Sequence, residues 1–272
     1  MPLMEALILG ALQGLTEFWP ISSSAHLTLL PMILHWESAL LNSLAFNVAL
    51  HAGTLVAVGV YFRDDLMVLT LCWFKPKENV VRRENRRLSR LLILATLPAV
   101  AAALLLDQYA EQAFRSPGSI AWALIIGGIL MGATDLFFKQ NEDLTRMRRE
   151  NAVLVGFFQA FALIPGVSRS GASLTAMRFL KFKRPDAARF TFLMSIPIIA
   201  GAVLYEGRKI FGHIQGGEWP VLLVGVGASF GVGILTIHAF MRLLRRHSLT
   251  AFAVYRVLAG AAVLAWIYCS RG

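Results

Sequence analysis

The chain has 272 residues, of which 57% are apolar and 15% charged, with a formal net charge of +10 and a mean hydropathy of +0.62. A soluble domain of this size carries about 25% charged residues, so the composition points to a polytopic membrane protein. The Lys and Arg fall mostly in short connectors between apolar runs, a pattern that orients a membrane protein and argues against a nucleic-acid partner.

Taken in chain order, the first apolar stretch, about 4–34, is interrupted by Pro20 and a Ser cluster. Each half is too short to cross a bilayer, and a re-entrant helical hairpin fits. Crossing helices are predicted at 44–62, 91–106 and 119–138, the second containing Pro98. A short apolar run at 66–74 suits a membrane interface. A second interrupted stretch, 152–181, repeats the re-entrant pattern, and further crossings are predicted at 188–206, 219–241 and 250–269. The fold class expected is therefore all-α and integral to the membrane, with about six transmembrane helices plus two re-entrant hairpins. Cys72 and Cys269 lie in or beside apolar runs and suggest neither a disulfide framework nor a zinc site. The first 62 residues hold no Lys or Arg, so no cleavable signal peptide is expected.

The connectors on one side carry nineteen Lys and Arg, against four on the other. The basic side is expected to be cytoplasmic, with both termini outside. Trp122, Trp219 and Trp266 fall near the predicted outer ends, where an aromatic belt is expected.

The two broken stretches are related. At an offset of 146, Gly10 meets Gly156, Gln13 meets Gln159, Ser22 meets Ser168, Ser24 meets Ser170 and Phe46 meets Phe192. Repeat one covers about 1–138 and repeat two about 152–272, within a single membrane domain. Each contains one hairpin and three crossings. Three is odd, so the second repeat is inverted, and the two tips are expected to meet inside the membrane.

The tips carry the chemistry. Gln13 and Glu17 are four apart and share a helix face. A carboxylate in an apolar hairpin needs a partner or a metal. Ser22, Ser23, Ser24 and His26 follow Pro20. Their hydroxyls can cap the next helix. A nearby His can also activate a Ser nucleophile, or its imidazole can attack phosphorus directly. In the second tip, Pro165-Gly166-Val-Ser168-Arg169-Ser170-Gly171 combines a guanidinium, hydroxyls and a helix start. That combination suits a phosphate cradle. A structural alternative pairs Arg169 with Glu17 to hold the hairpins together. Arg256 could bind a substrate phosphate or snorkel to the interface, and a structural role is favoured; His51 could line the site, but a lone histidine is more often simply hydrogen-bonded. Arg178 and Lys181 are expected at the cytoplasmic end of the second hairpin.

At these motifs the chain resembles the bacterial undecaprenyl-diphosphate phosphatase family, also called the bacitracin-resistance proteins. The stretch Gln13-Gly-Leu-Thr-Glu17-Phe-Trp-Pro20-Ile-Ser22-Ser23-Ser24-Ala-His26 is similar to its first motif, and Pro165 to Ser173 to its second. Gln13 stands where the family often has Glu, and Ser173 where it usually has Thr. The resemblance implies hydrolysis of undecaprenyl diphosphate to undecaprenyl phosphate and inorganic phosphate, which recycles the lipid carrier of cell-wall polymers. It implies Glu17, Ser23, His26 and Arg169 as catalytic groups. Ser22, Gly166, Ser168, Ser170 and Ser173 join Arg169 as phosphate-binding residues, and Glu17 with Gln13 as ligands of Mg2+ or Ca2+. The partners implied are the polyprenyl diphosphate lipid and the bilayer, with bacitracin acting by sequestering the substrate, and a homodimer is an option. The location implied is the bacterial inner membrane, with the active site opening to the periplasmic or outer face. Inverted repeats with broken helices also occur in transporters, so a polyprenyl-phosphate transporter or flippase is the alternative. A purely structural scaffold is a third reading.

Overall fold

The computed structural model describes residues 2–74, 79–210, 214 and 216–269. Lys75, Lys77 and Arg271 of the charge count lie outside the described residues. Among the described residues there are eleven α-helices: α1 (Pro2–Phe18), α2 (Ser23–Ile33), α3 (Leu44–Tyr61), α4 (Arg63–Leu71), α5 (Val80–Phe114), α6 (Pro117–Phe137), α7 (Arg149–Ala160), α8 (Arg169–Phe179), α9 (Arg184–Ile210), α10 (Trp219–Leu243) and α11 (Thr250–Cys269). The described residues contain no β-strand beyond an isolated bridge, Glu142 with Phe182.

Six helices are long and apolar enough to cross a membrane: Leu44–Tyr61, Val80–Leu106, Pro117–Phe137, Arg184–Arg208, Gly216–Leu243 and Thr250–Cys269. The chain is a multi-pass membrane protein, and these are the six crossings expected from hydropathy. Two helices begin well before their apolar run. α5 starts at Val80, because a basic amphipathic segment continues the same helix, and α9 starts at Arg184. Pro98 and Pro197 lie inside these long helices and do not end them. The 66–74 run forms the short α4 and the turn after it.

Apart from α4, the helices too short to cross come in two pairs, α1 with α2 and α7 with α8. α1 packs along α10 and α7 along α5, while α3 lies between α10 and α9. α6 packs against α11 and α8. With no hydrophobic drive between helices in lipid, close approach depends on small residues. A Cβ on Gly10 would sit 2.4 Å from the Gly225 carbonyl oxygen of α10. A Cβ on its offset partner Gly156 would sit 2.3 Å from the Ala95 carbonyl oxygen of α5. Both helices therefore lie backbone to backbone on their neighbours.

The core runs beneath the two breaks. Phe18 meets Phe192 edge to face at 5.5 Å, Phe240 meets Phe252 at 5.4 Å, and Trp19 meets Phe252 at 5.3 Å. An ion cluster centred on the fully buried pair Asp135 and Arg178 anchors α8. Asp135 of α6 accepts from Arg178 Nε at 2.8 Å, from Arg184 Nε at 2.8 Å and from the Leu249 amide at 2.8 Å. Arg178 therefore does more than mark a helix end: it clasps α8 to α6, and through Asp135 to α9 and the start of α11. Lys181 is exposed, just past the end of α8.

Candidate active site

Two chain breaks build the site. α1 stops at Phe18 because Pro20 offers no amide and pushes Trp19 away from helical geometry. α7 gives way to a 3-10 turn at Phe161–Leu163, and Ile164 is extended before Pro165. Gly166 then takes φ +98°, which a side chain would strain, and a Cβ there would meet the Ile120 carbonyl oxygen at 2.7 Å. Each chain re-enters a helix at a serine with positive φ, Ser22 at 76° and Ser168 at 71°. Ser22 Oγ accepts from the Ala25 amide at 3.4 Å and Ser168 Oγ from the Gly171 amide at 3.1 Å. Both are helix N-caps, satisfying an amide the helix leaves unpaired.

The breaks bring Glu17 and Arg169 together. Glu17 Oε1 accepts from Arg169 Nη2 at 3.0 Å. Its Oε2 accepts from Ser23 Oγ at 2.8 Å and from Gln13 Nε2 at 3.2 Å. His51 Nε2 lies 3.6 Å from the same oxygen. The Glu17 side chain is 5% exposed and that of Arg169 is 21% exposed, and the guanidinium carries five N–H donors, of which the Glu17 contact uses one. Thr191 and Ser195 of α9 join Glu17, Arg169 and Ser170 around a void of about 10 Å³, room for about one water. The Thr191 hydroxyl is buried without a protein partner.

The remaining predicted residues divide. Ser170 Oγ donates to the Glu17 carbonyl at 3.1 Å, and the Gly166 amide donates to Ser24 Oγ at 3.3 Å, so the tips interlock. Ser22, Ser168 and Ser170 are buried and engaged in caps and cross-links. Ser173 is fully buried in α8, and its hydroxyl has no partner. His26 is not brought to Ser23. Its Nδ1 faces the Ser22 carbonyl at 2.7 Å, and its Nε2 faces the Tyr255 hydroxyl at 2.6 Å. Since a carbonyl only accepts, Nδ1 carries the proton, and Nε2 accepts from the tyrosine.

Arg256 is fully buried rather than snorkelling to an interface. It donates to the Pro20 carbonyl of the first break at 3.3 Å, and to the Gly166 and Val167 carbonyls of the second at 3.1 and 2.8 Å. Nε reaches the Leu124 carbonyl of α6 at 3.4 Å. One guanidinium from the last helix thus staples both breaks. His51 and Tyr255 are the contacts that motif reading undervalued. His51 lies in one apolar span and Tyr255 beside Arg256 in another, and only the fold shows what each faces.

The family described as Bacitracin resistance protein BacA matches residues 6–262. The chain belongs to the BacA family. Undecaprenyl-diphosphatase of Alcanivorax borkumensis is 42% identical over 263 residues, covering 97% of this chain and 98% of its own. Undecaprenyl-diphosphatase of Geobacter sulfurreducens is 42% identical over 270 residues, covering 98% and 99%. Undecaprenyl-diphosphatase of Gemmatimonas aurantiaca is 43% identical over 266 residues, covering 97% and 98%. The family match spans both breaks, and these relatives cover 97–98% of this chain.

Proposed function

We propose that the chain hydrolyses undecaprenyl diphosphate to undecaprenyl phosphate and inorganic phosphate, and so recycles the lipid carrier of cell-wall synthesis. The observation that carries this reading is Glu17 held between Ser23 and Arg169 at 2.8 and 3.0 Å. The diphosphatase names of the relatives support it, and no comparison favours a transporter.

Ser23 is the nucleophile in this reading, and Glu17 is its base. The Ser23 proton passes to Glu17 Oε2 as the hydroxyl oxygen bonds the terminal phosphorus. The bridging P–O bond breaks, and its electron pair leaves with the lipid phosphate. Water then attacks the phosphoserine, releasing inorganic phosphate and restoring the hydroxyl. Arg169 stabilises the charge spread over the equatorial oxygens, which is most of what a protein contributes to phosphoryl transfer. His26, held by Ser22 and Tyr255, sits on the same tip and positions substrate.

A divalent ion fits the donor set. Gln13 Oε1 is buried without a partner beside the Glu17 carboxylate. Among the described residues no three His, Cys, Asp or Glu cluster as a protein-only metal site. Magnesium commonly uses one or two carboxylates and completes its shell with substrate phosphates. Glu17 and Gln13 would hold Mg2+ or Ca2+, and the ion would neutralise phosphate charge.

The two broken pairs are re-entrant hairpins of an inverted repeat in this reading, entering a bacterial inner membrane from opposite faces. The basic connectors are cytoplasmic, both termini lie outside, and the site opens to the outer face. Phosphate release from polyprenyl diphosphate by purified protein, with and without a chelator, tests the activity. Release that stops on chelation and returns with magnesium or calcium is expected. Absence of release under every metal condition would overturn the assignment.

A further inference from the structure

A cavity of about 1640 Å³ lies away from Glu17, between the start of α5, the 142–151 connector and the end of α8. Eight of its lining side chains are Lys or Arg and two are Glu. Glu84 pairs with Arg87 at 3.1 Å and Glu142 with Arg146 at 3.5 Å, so the lining retains an excess of six positive charges. The face of α5 carries a sharp boundary. Arg83, Arg87 and Arg90 follow one another at helical spacing, and Leu94 and Leu97 continue the same face. Ile93 and Leu97 are more than half exposed, and Phe179 of α8 is 46% exposed on the same wall. The start of α7 completes the basic end. Arg148 precedes it without a side-chain cap, and Arg148, Arg149 and Asn151 line the cavity.

The other broken pair supplies a control. A smaller cavity of about 500 Å³ lies at the offset-related place, beside the start of α1 and residues 35–38. Its lining holds Glu5 and Glu37 and no Lys or Arg. The shared backbone therefore permits such a mouth without making it basic.

We propose that the basic cavity binds the phosphate headgroup of an anionic phospholipid, with the acyl chains along Ile93, Leu97 and Phe179. A free phosphate ion would use the arginines and leave the apolar wall idle. A lipid uses both, and a basic pocket between membrane helices suits an anionic headgroup.

The test uses full-length protein in phosphatidylcholine nanodiscs doped with phosphatidylglycerol, with lipids retained on the protein counted by native mass spectrometry. The Arg83→Gln/Arg149→Gln double variant is expected to lose phosphatidylglycerol retention about tenfold. Arg83→Lys/Arg149→Lys should keep it, which separates lost charge from lost fold. Arg245→Gln/Arg246→Gln, exposed on the same basic side but outside the cavity, should also keep it. Equal loss in the two Gln pairs would reduce the effect to general surface charge and overturn the site. No loss in the cavity pair would do the same. Displacement of the lipid by millimolar glycerol phosphate would assign the cavity to a free phosphate and overturn the acyl wall.

Discussion

The two chain breaks share a backbone and differ in side chains. Among the described residues, four non-glycine residues have positive φ, and they form two pairs at the offset of 146: Ser22 with Ser168, and His35 at 53° with Lys181 at 68°. The local hydroxyl contacts repeat as well, Ser22 to Ser24 at 3.2 Å and Ser168 to Ser170 at 3.3 Å. What changes is the chemistry hung on this frame. The position of Glu17 is Leu163 in the second break, and that of His26 is Ala172. Ser23 corresponds to Arg169, each the first residue of its helix, and both reach the same Glu17 carboxylate. One geometry used twice thus supplies a hydroxyl from one side and a guanidinium from the other. The frame sets where a group stands; the residue at the helix start sets what it does there.

The largest expected effect comes from removing the second break's contribution. Arg169→Ala should lower phosphate release by about 10³-fold or more, in the range seen for cationic groups at phosphoryl transition states. The protein should still fold, because Arg256 staples the breaks independently. Unchanged release in that variant would return the Glu17 pair to a structural tie and leave the chain a scaffold. Glu17→Gln keeps the shape and removes the base; it should cost about 10²–10⁴-fold. Trapped phosphoenzyme, absent in Ser23→Ala and present in His26→Ala, would assign the nucleophile; the reverse pattern would move it to the imidazole. Smaller effects test the frame. Gly10→Ala and Gly156→Ala should each destabilise by about 1–3 kcal/mol through forced separation of packed backbones, read by denaturant unfolding in micelles. A cost at one and none at the other would break the equivalence of the two pairs.

Much of this was legible in the sequence for physical reasons. Six crossings follow from apolar run length, since nothing else in a chain needs about twenty apolar residues. Both breaks follow from Pro20 and Pro165, which remove amides and reject helix before them. Glu17 does meet Arg169, the pairing that the sequence offered as a structural tie between the two tips. The pairing of Ser23 with Glu17 rather than His26 did not follow, because a helix start turns successive side chains by about 100° and spacing alone leaves the partner open. Nor did Tyr255 or Asp135 stand out. Asp135 is a lone charge in an apolar run and Tyr255 a single aromatic beside Arg256, and their partners lie 43 and 229 residues away respectively. Long-range pairs of single residues leave no local pattern to read.

The smallest effect separates capping from catalysis at the matched serines. Ser22→Ala and Ser168→Ala each remove an acceptor from a helix-start amide, and each should cost about 1 kcal/mol of stability. Glycine at the same positions should cost only a few tenths, since it is tolerated as a cap and accepts the positive φ that serine bears under strain. Denaturant unfolding of the four variants should therefore rank Ala below Gly at both sites, with phosphate release lowered no more than the folded fraction. A Ser168→Gly variant that is as stable as the parent yet loses release by a hundredfold would place that hydroxyl on the substrate's phosphate. The two serines would then differ in role despite sharing a backbone, as Ser23 and Arg169 do one residue later.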